Sequence, residues 1–436
     1  MNIKKEILNL VDQFAVDKFS HKDFIPGVTT VPVSGKILDA EELKNMVEAS
    51  LDGWLTTGRF NKEFEEKIAS FIGAKLAMTV NSGSSANLVA FMTLTSPKLK
   101  DRAIMPGDEI ISVAAGFPTT INPIIQFGAI PVFIDIDIPT YNIKVEEIKN
   151  AISKKTKAIM IAHTLGNPFD VKRIREICDK HNLWLIQDTC DALGAKFDKK
   201  PLGFYGDIGT VSFYPAHHIT MGEGGLVYTN SIKLKKIAES FRDWGRDCYC
   251  ETGKDNTCNK RFDWQLGNLP KGYDHKYTYT HMGYNFKITD MQAACGLAQL
   301  NKIELFIKRR LSNFNYLYKL FVNLNDYFIL PEKTVNSEPS WFGFLLTIKD
   351  NKLNRNELLK FLDQKKIGTR LLFSGNVTKQ PYMVNKKYII HKNLKNTDKV
   401  MQDSFWFGVY PGLEKQHLDY IYSSVEEYII GKNQNL

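Results

Sequence analysis

An α/β layered protein, with a large and mostly parallel sheet followed by a smaller α/β region, is what this sequence predicts, and three observations carry that reading. The chain has 436 residues, enough for two domains around a sizeable core. Between about residues 75 and 230, short β-rich runs alternate with helix-patterned stretches, the order that builds strand–helix–strand units. Several of those runs are apolar at successive positions, as strands covered on both faces are.

Taken in order, residues 1–34 open with MNIKKEILNLVDQFAVDKFS, which is charged throughout and lacks a small-residue cleavage site. It reads as an amphipathic helical arm rather than a signal peptide, so a cytoplasmic address is expected. Residues 35–300 form the expected large domain, with strands in LAMTVNS, DEIISVAAG, IPVFIDID, AIMIAHT, LWLIQDTC, IGTVSFY and GLVYTN. Asp170 stands where an N-cap would start the helix VKRIREICDKHN. Residues 244–284 form a polar, aromatic, glycine-bearing excursion without period, a length uncommon in compact domains unless it is functional or held by something extra. ITDMQAACGLAQLNKIELFIKRRLSNFNYLYKLF then reads as one or two long helices, and residues 301–436 make the smaller C-terminal α/β domain.

Composition excludes several classes. With 43% hydrophobic and 24% charged residues, the chain is neither disordered nor fibrous. No apolar run is long enough to span a membrane. The net charge of +9 comes from scattered lysines without a nucleic-acid motif, which excludes a nucleic-acid partner and is permissive of an anionic small substrate.

The chemistry lies beyond the strand ends. In NSGSSANLVAFMTL, Ser82, Gly83, Ser84 and Ser85 precede a helix, where free backbone N–H groups and hydroxyls suit a phosphate, although a serine-rich cap can bind nothing. Asp188 ends the run LWLIQ, where its carboxylate could pair with a pyridinium nitrogen or cap the next turn.

Six cysteines in a reducing compartment leave packing, metal binding or catalysis as their uses. Cys178 and Cys295 sit in apolar helical contexts and read as packing. Cys190, Cys248, Cys250 and Cys258 have the spacing C-x57-C-x-C-x7-C, a set suited to a [2Fe-2S] cluster or to tetrahedral zinc.

Together, LTTGRFNKEFEEKIASFIGAK, NSGSSAN, GFPTTINPI, QDTCDALGA, SFYPAHHITMGEGG and HMGYNFKITDMQAACGLAQL resemble the sugar aminotransferases of the DegT/DnrJ/EryC1/StrS family, over almost the whole chain from about residue 33. The resemblance implies the fold-type I architecture of vitamin B6 enzymes, with a seven-stranded sheet and a homodimer. It implies that Gly83, Ser84 and Ser212 hold the cofactor phosphate, that Phe117 stacks on the pyridine ring, that Asp188 pairs with its nitrogen, and that Asn285 reaches the phosphate from a neighbouring subunit. His217 occupies the place of the family's Schiff-base lysine, and SFYPAHHITMGEGG contains no lysine at all. Imidazole cannot form that linkage but serves as a general base, so the cofactor is expected as untethered pyridoxamine phosphate. The adjacent His218 reads as a structural hydrogen-bonding group. Asp191 and Tyr214 stand where the family has glutamine and commonly histidine, and both are expected at the substrate pocket. Phe342 is a candidate pocket wall or core residue, and Arg370 a candidate for a substrate diphosphate or for a surface ion pair.

Histidine for lysine together with the cysteine spacing resembles the iron–sulfur 3-dehydrase branch of this family. That resemblance implies the [2Fe-2S] alternative, CDP-4-keto-6-deoxyglucose as substrate, and 3,6-dideoxysugars for surface polysaccharides as the destination. It implies His217 as the base at the aminomethyl carbon while the C3 hydroxyl leaves, and electrons from a separate NAD(P)H-dependent reductase, since the chain offers no nicotinamide or flavin site of its own. Cys190 follows Asp188 by two residues, so their Cα atoms lie within about 7 Å and the cluster is expected beside the ring. The alternatives are a lysine-lacking dehydrase that works without the cysteines, and a noncatalytic nucleotide-sugar-binding or zinc-stapled protein.

Overall fold

The computed structural model describes residues 2–20, 23–250, 253–349 and 352–434. All seven expected runs are strands of one sheet, in the spatial order Leu76–Val80, Gly225–Thr229, Ile208–Ser212, Trp184–Asp188, Thr156–Ala162, Glu109–Val113, Ile130–Ile134. A two-residue strand, Ile389–Ile390, extends the last edge. Only Gly225–Thr229 runs against its neighbours, so the sheet is mostly parallel.

Successive side chains of a strand point to opposite faces, so a run apolar at every position must serve two cores. The central strands do so. Ile159, Ile161 and Leu185 join one buried cluster with Ile174 and Ile177 of the helix Val171–His181. Ala158, Met160 and Ile186 join another with Val89 and Phe91 of the helix Gly83–Thr93 and Ile237 of Ile232–Arg242. Helices therefore cover both faces. Asp170 caps its helix as expected, accepting the Arg173 N–H at 3.0 Å.

The long apolar stretch after residue 288 forms two helices, Asp290–Leu300 and Ile303–Phe321. Ile303 and Phe306 of the second pack with Phe64 and Phe213 against the large sheet, whereas Phe314, Leu317 and Phe321 enter an aromatic core with Phe344, Phe405 and Phe407. That second core covers an antiparallel sheet of Phe328–Ile329, Gly343–Ile348 and Ser404–Gly408. One helix thus spans both cores, and its middle faces the ends of the large sheet's strands.

Residues 244–284 contain no strand or α-helix among the described residues, and their one helical turn is the 3-10 segment His275–Tyr277. Isolated bridges Asp243–Asn285 and Arg246–Tyr279 close the root of this loop. Gly245 sits between them at φ +83°, and an added Cβ would lie 1.9 Å from the His281 carbonyl oxygen, so only glycine fits this crossing. No helix among the described residues is long and apolar enough to cross a membrane.

Candidate active site

The strand ends bring the first group of residues together. Ser212 ends its strand against the start of the helix Gly83–Thr93, and a Cβ on Gly83 would lie 2.4 Å from the Ser212 Cβ. The helix is capped by Ser82, whose Oγ accepts the Ser85 N–H at 3.0 Å, while Ser84 is exposed at the first turn. Free N–H groups with two hydroxyls beside them form a phosphate cradle.

Asp188 is 4% exposed at the end of its strand. Its Oδ2 accepts from Asn87 Nδ2 at 2.9 Å and from Thr120 Oγ1 at 2.7 Å, and its Oδ1 accepts the Cys190 N–H at 3.1 Å. Thr210 in turn donates to Asn87 Oδ1 at 2.7 Å, which fixes the amide orientation. Phe117, at the N-cap of the helix Pro118–Phe127, leaves its ring half-exposed and edge-on to Phe373 at 6.1 Å. A cradle for phosphate, a buried anchored carboxylate and an open aromatic face fit a phosphorylated pyridine cofactor.

The second group surrounds His217. Its N–H donates to the Tyr214 carbonyl at 3.0 Å, and its own carbonyl accepts from Arg310 Nη2 at 3.2 Å. The imidazole Nδ1 lies 3.4 Å from Asp191 Oδ1, within ion-pair range but outside hydrogen-bond geometry, since Nδ1 and Asp191 Oδ2 have no hydrogen-bond partner among the described residues. Burial pushes the Asp191 carboxyl above its ordinary range, and His217 opposes that shift. The Phe342 ring backs the imidazole at 5.2 Å.

Arg310, which the sequence reading did not single out, lies beneath this group at 1% exposure. Its guanidinium reaches the carbonyls of Phe342 and His217 and lies 5.5 Å from the Phe342 ring centroid. Burial lowers its pKa to about 10 against the pull of Asp191. The signal was legible: Ile303, Phe306, Phe314, Leu317 and Phe321 form the helix's buried stripe, and Arg310 takes a position on it that an apolar residue would ordinarily fill. His218 borders this network, its Nε2–H donating to the Ser340 carbonyl at 2.9 Å; burial first, then Arg310, holds its pKa well below the usual histidine range.

The cysteines do not gather as a set of four. Cys190 lies next to Asp188 and Thr210, where burial above all, and then the Asp188 charge, push its thiol well up. Cys248, Cys250 and Cys258 instead line a small cavity with Asp255, Asn256, Arg261, His275 and Lys276. Cys248 and Cys250 also border a cleft lined by Leu76 and Ala77 of the edge strand and by Lys235 and Glu239. Sheet order explains the separation. The strand that delivers Cys190 is three spacings of about 4.8 Å, or about 14 Å, from that edge strand. Among the described residues no three His, Cys, Asp or Glu groups stand close enough to hold a metal ion. The four expected ligands are therefore not gathered as a preformed centre: Cys190 lies beside Asp188, and Cys248, Cys250 and Cys258 line the loop's own cavity.

A family model described as the DegT/DnrJ/EryC1/StrS aminotransferase family matches residues 36–426. The chain belongs to this family. It is 60% identical over 428 residues to "Lipopolysaccharide biosynthesis protein RfbH" of Salmonella typhimurium, covering 98% of each chain. It is 50% identical over 407 residues to dTDP-4-dehydro-2,6-dideoxy-D-glucose 3-dehydratase of Saccharopolyspora spinosa, covering 93% of this chain and 88% of that one. Among solved structures it is similar to GDP-4-keto-6-deoxy-D-mannose-3-dehydratase of E. coli with bound hydrated PLP, at 30% identity and a TM-score of 0.81, covering 91% of this chain and 99% of that chain.

The candidate site lies at the carboxyl ends of the parallel strands, and the remaining expected residues fall around or outside it. Tyr214 is half-exposed beside the His217 turn, and Phe342 is buried, serving both as core and as backing for the imidazole. Arg370 is exposed, its backbone paired with Trp406 and its Nη1 donating to the Thr369 carbonyl at 2.8 Å. Asn285 is exposed at the root of the loop, with Oδ1 accepting the Lys287 N–H at 3.2 Å.

Proposed function

We propose that this family member is a lysine-free, pyridoxamine-phosphate-dependent nucleotide-sugar 3-dehydrase acting on CDP-4-keto-6-deoxyglucose, with His217 as its base. The observation that carries the reading is the imidazole of His217, faced by Asp191 and with its backbone carbonyl held by Arg310, standing in a family segment that has no lysine from Ser212 to Gly225.

Gly83, Ser84 and Ser212 bind the cofactor phosphate in this reading, Phe117 covers the pyridine ring, and Asp188 meets its nitrogen. When bound, the cofactor supplies an amine for the sugar's C4 ketone and an electron sink for the aminomethyl carbon. With Nδ1 turned toward Asp191, His217 Nε2 is left to take the proton from that carbon. Once protonated, the same ring is one candidate acid for the departing C3 hydroxyl. Asp191 is repelled as an anion by its burial, so a charged imidazole beside it relieves both groups. Phe342 excludes water from one face of the ring. Tyr214 and Arg370 flank the substrate, with Arg370 on the diphosphate, and Asn285 completes the phosphate site of a neighbouring subunit in a homodimer.

The CDP moiety rests on the motif resemblance, while the relatives' names carry dTDP and GDP sugars. Reductive completion at C3 takes two electrons from a separate NAD(P)H-dependent flavin or iron–sulfur reductase. The residues Cys190, Cys248, Cys250 and Cys258 do not fit one [2Fe-2S] cluster as folded here, so no electron step is assigned to that set. Their separation favours, as a second reading, a dehydrase that works without the cluster and releases a ketosugar by hydrolysis.

Incubating the chain with pyridoxamine phosphate and CDP-, dTDP- and GDP-linked 4-keto-6-deoxysugars, with and without reductase and NADPH, tests both. The expected result is loss of the C3 oxygen from the CDP sugar, dependent on reductase in the first reading and independent of it in the second. Formation of a 4-amino sugar from glutamate, with the C3 hydroxyl retained, overturns the dehydrase reading.

A further inference from the structure

At the His217 turn lies a small cavity of about 10 Å³, lined by His217, His218 and Arg310 together with Gln299, Phe306 and Pro411. Two of these residues carry buried nitrogens still to be satisfied: His218 Nδ1 and Arg310 Nε have no hydrogen-bond partner among the described residues. The side chains are 2% and 1% exposed, so both atoms are shut off from bulk solvent. Buried nitrogens are ordinarily paired, with protein or with an ordered water. A space of about 10–15 Å³ holds one water when two to four polar groups line it, and this cavity meets both conditions.

The two nitrogens are complementary. His218 Nε2–H donates to the Ser340 carbonyl at 2.9 Å, which leaves Nδ1 of the neutral ring as an acceptor, whereas Arg310 Nε–H can only donate. One water that accepts from Arg310 and donates to His218 satisfies both. The other ends of these side chains are already committed to the wall of the active site. Arg310 donates to the Phe342 carbonyl at 3.4 Å and to the His217 carbonyl at 3.2 Å, and Phe342 follows Ser340 by two residues. Joined by a water, the pair clamps the segment 340–342, with the Phe342 ring that backs the imidazole at 5.2 Å, to the His217 turn.

We propose that a single buried water joins His218 Nδ1 to Arg310 Nε, and that His218 thereby positions the His217 imidazole through Arg310 and the His217 carbonyl. His218 is a positioning residue, since it acts through Arg310 and not on the reacting atoms. The water site stands without the dehydrase reading; the effect on turnover rests on it.

The test is a high-resolution crystal structure of the full chain and of two variants that divide the ring's nitrogens between them. Asparagine places an amide oxygen near the Nδ1 position, and glutamine places an amide nitrogen near the Nε2 position. The wild-type chain should show one ordered water within hydrogen-bond distance of both nitrogens. H218N keeps that water, whereas H218Q loses it and displaces the His217 imidazole. With pyridoxamine phosphate and CDP-4-keto-6-deoxyglucose, kcat falls by about three- to tenfold in H218Q at unchanged KM, and H218N restores it to near the wild-type value. If H218Q fails to fold, the wild-type density and the kcat of H218N still decide the matter. A dry cavity in the wild-type chain, a retained water or an unaltered kcat in folded H218Q, or a kcat lost equally in H218N overturns the proposal. Density and ring position involve no turnover, so an inactive wild-type chain would sink the dehydrase reading and leave this one decided by structure.

Discussion

The His217 pocket and the 244–284 loop both concentrate chemistry-bearing side chains, but they are held by different forces. Around His217 the backbone is fixed by parallel strands and by a helix shared between two cores, and the functional groups are the residues at the strand ends. Asp188 receives three hydrogen bonds before any ligand arrives. In the loop, position depends on side-chain pairs: Arg261 with Asp274, His275 with Asp247, and Lys276 with Asp255. A sheet-borne pocket is ready before it binds, whereas a loop fastened by ion pairs leaves three thiols near one another without closing them.

The largest expected effect separates the pocket's chemistry from its architecture. Replacing His217 with Ala removes a proton-transfer group and lowers kcat by about 10²–10⁴-fold, with the melting temperature preserved. Turnover assays on CDP-4-keto-6-deoxyglucose beside thermal melts check this; a small loss in kcat would reduce His217 to a packing residue.

Asp188→Ala comes next, because it strips the acceptor from Asn87, Thr120 and the Cys190 N–H at once. The stability cost is roughly 1–3 kcal/mol, by denaturant titration, and pyridoxamine phosphate binding weakens in a fluorescence titration.

Acid should pull the two regions apart. Burial brings the His163 pKa to about 3 within the large sheet, while Lys98 and His275 hold Asp247 below its ordinary value against its burial. His163 charges in the unfolded chain near pH 6.5 and stays neutral in the folded one, so its stabilisation falls as pH drops below 6.5, by about 1.4 kcal/mol per pH unit, toward about pH 3. The stabilisation from Asp247 is present above its unfolded pKa, near 3.8, and is lost only below it. Global stability by denaturant titration therefore declines from pH 6.5, while hydrogen-exchange protection at the loop's root, corrected for the intrinsic rate, stays flat to about pH 4. A loop that opens first on acidification would reverse the comparison.

The smallest effect tests Arg310. Exchanging Arg310 for an apolar chain leaves the Phe342 and His217 carbonyls without a donor, at a cost of roughly 1–3 kcal/mol. R310M should therefore lose that much stability in a denaturant titration while kcat falls by less than about tenfold and its pH profile shifts, because the charge beside Asp191 and His217 is gone. Unchanged kcat and profile would make Arg310 a filler of the helix interface.

Legibility followed the same division. The strands could be read because their apolar runs had to satisfy two cores, and strand ends then pointed to Gly83 and Asp188 with capping as the alternative for each, while the role of Ser212 came from the family resemblance alone. Arg310 was readable in principle, as a charge on a buried stripe, but its partners lie in chain segments whose packing no local pattern reveals. The cysteine grouping was legible as a spacing only: Cys190 is set by the strand end beside Asp188, whereas Cys248, Cys250 and Cys258 sit in aperiodic chain whose placement no local pattern reveals.

The central claim is that the His217 imidazole moves the proton of an untethered cofactor. Deuterium uptake from D2O into the aminomethyl carbon of bound pyridoxamine phosphate, followed by mass spectrometry with the nucleotide sugar present, tests it most directly. The expected result is substrate-dependent exchange in the wild-type chain and exchange slowed at least about 100-fold in H217N; exchange at the wild-type rate in a folded, cofactor-loaded H217N would contradict it.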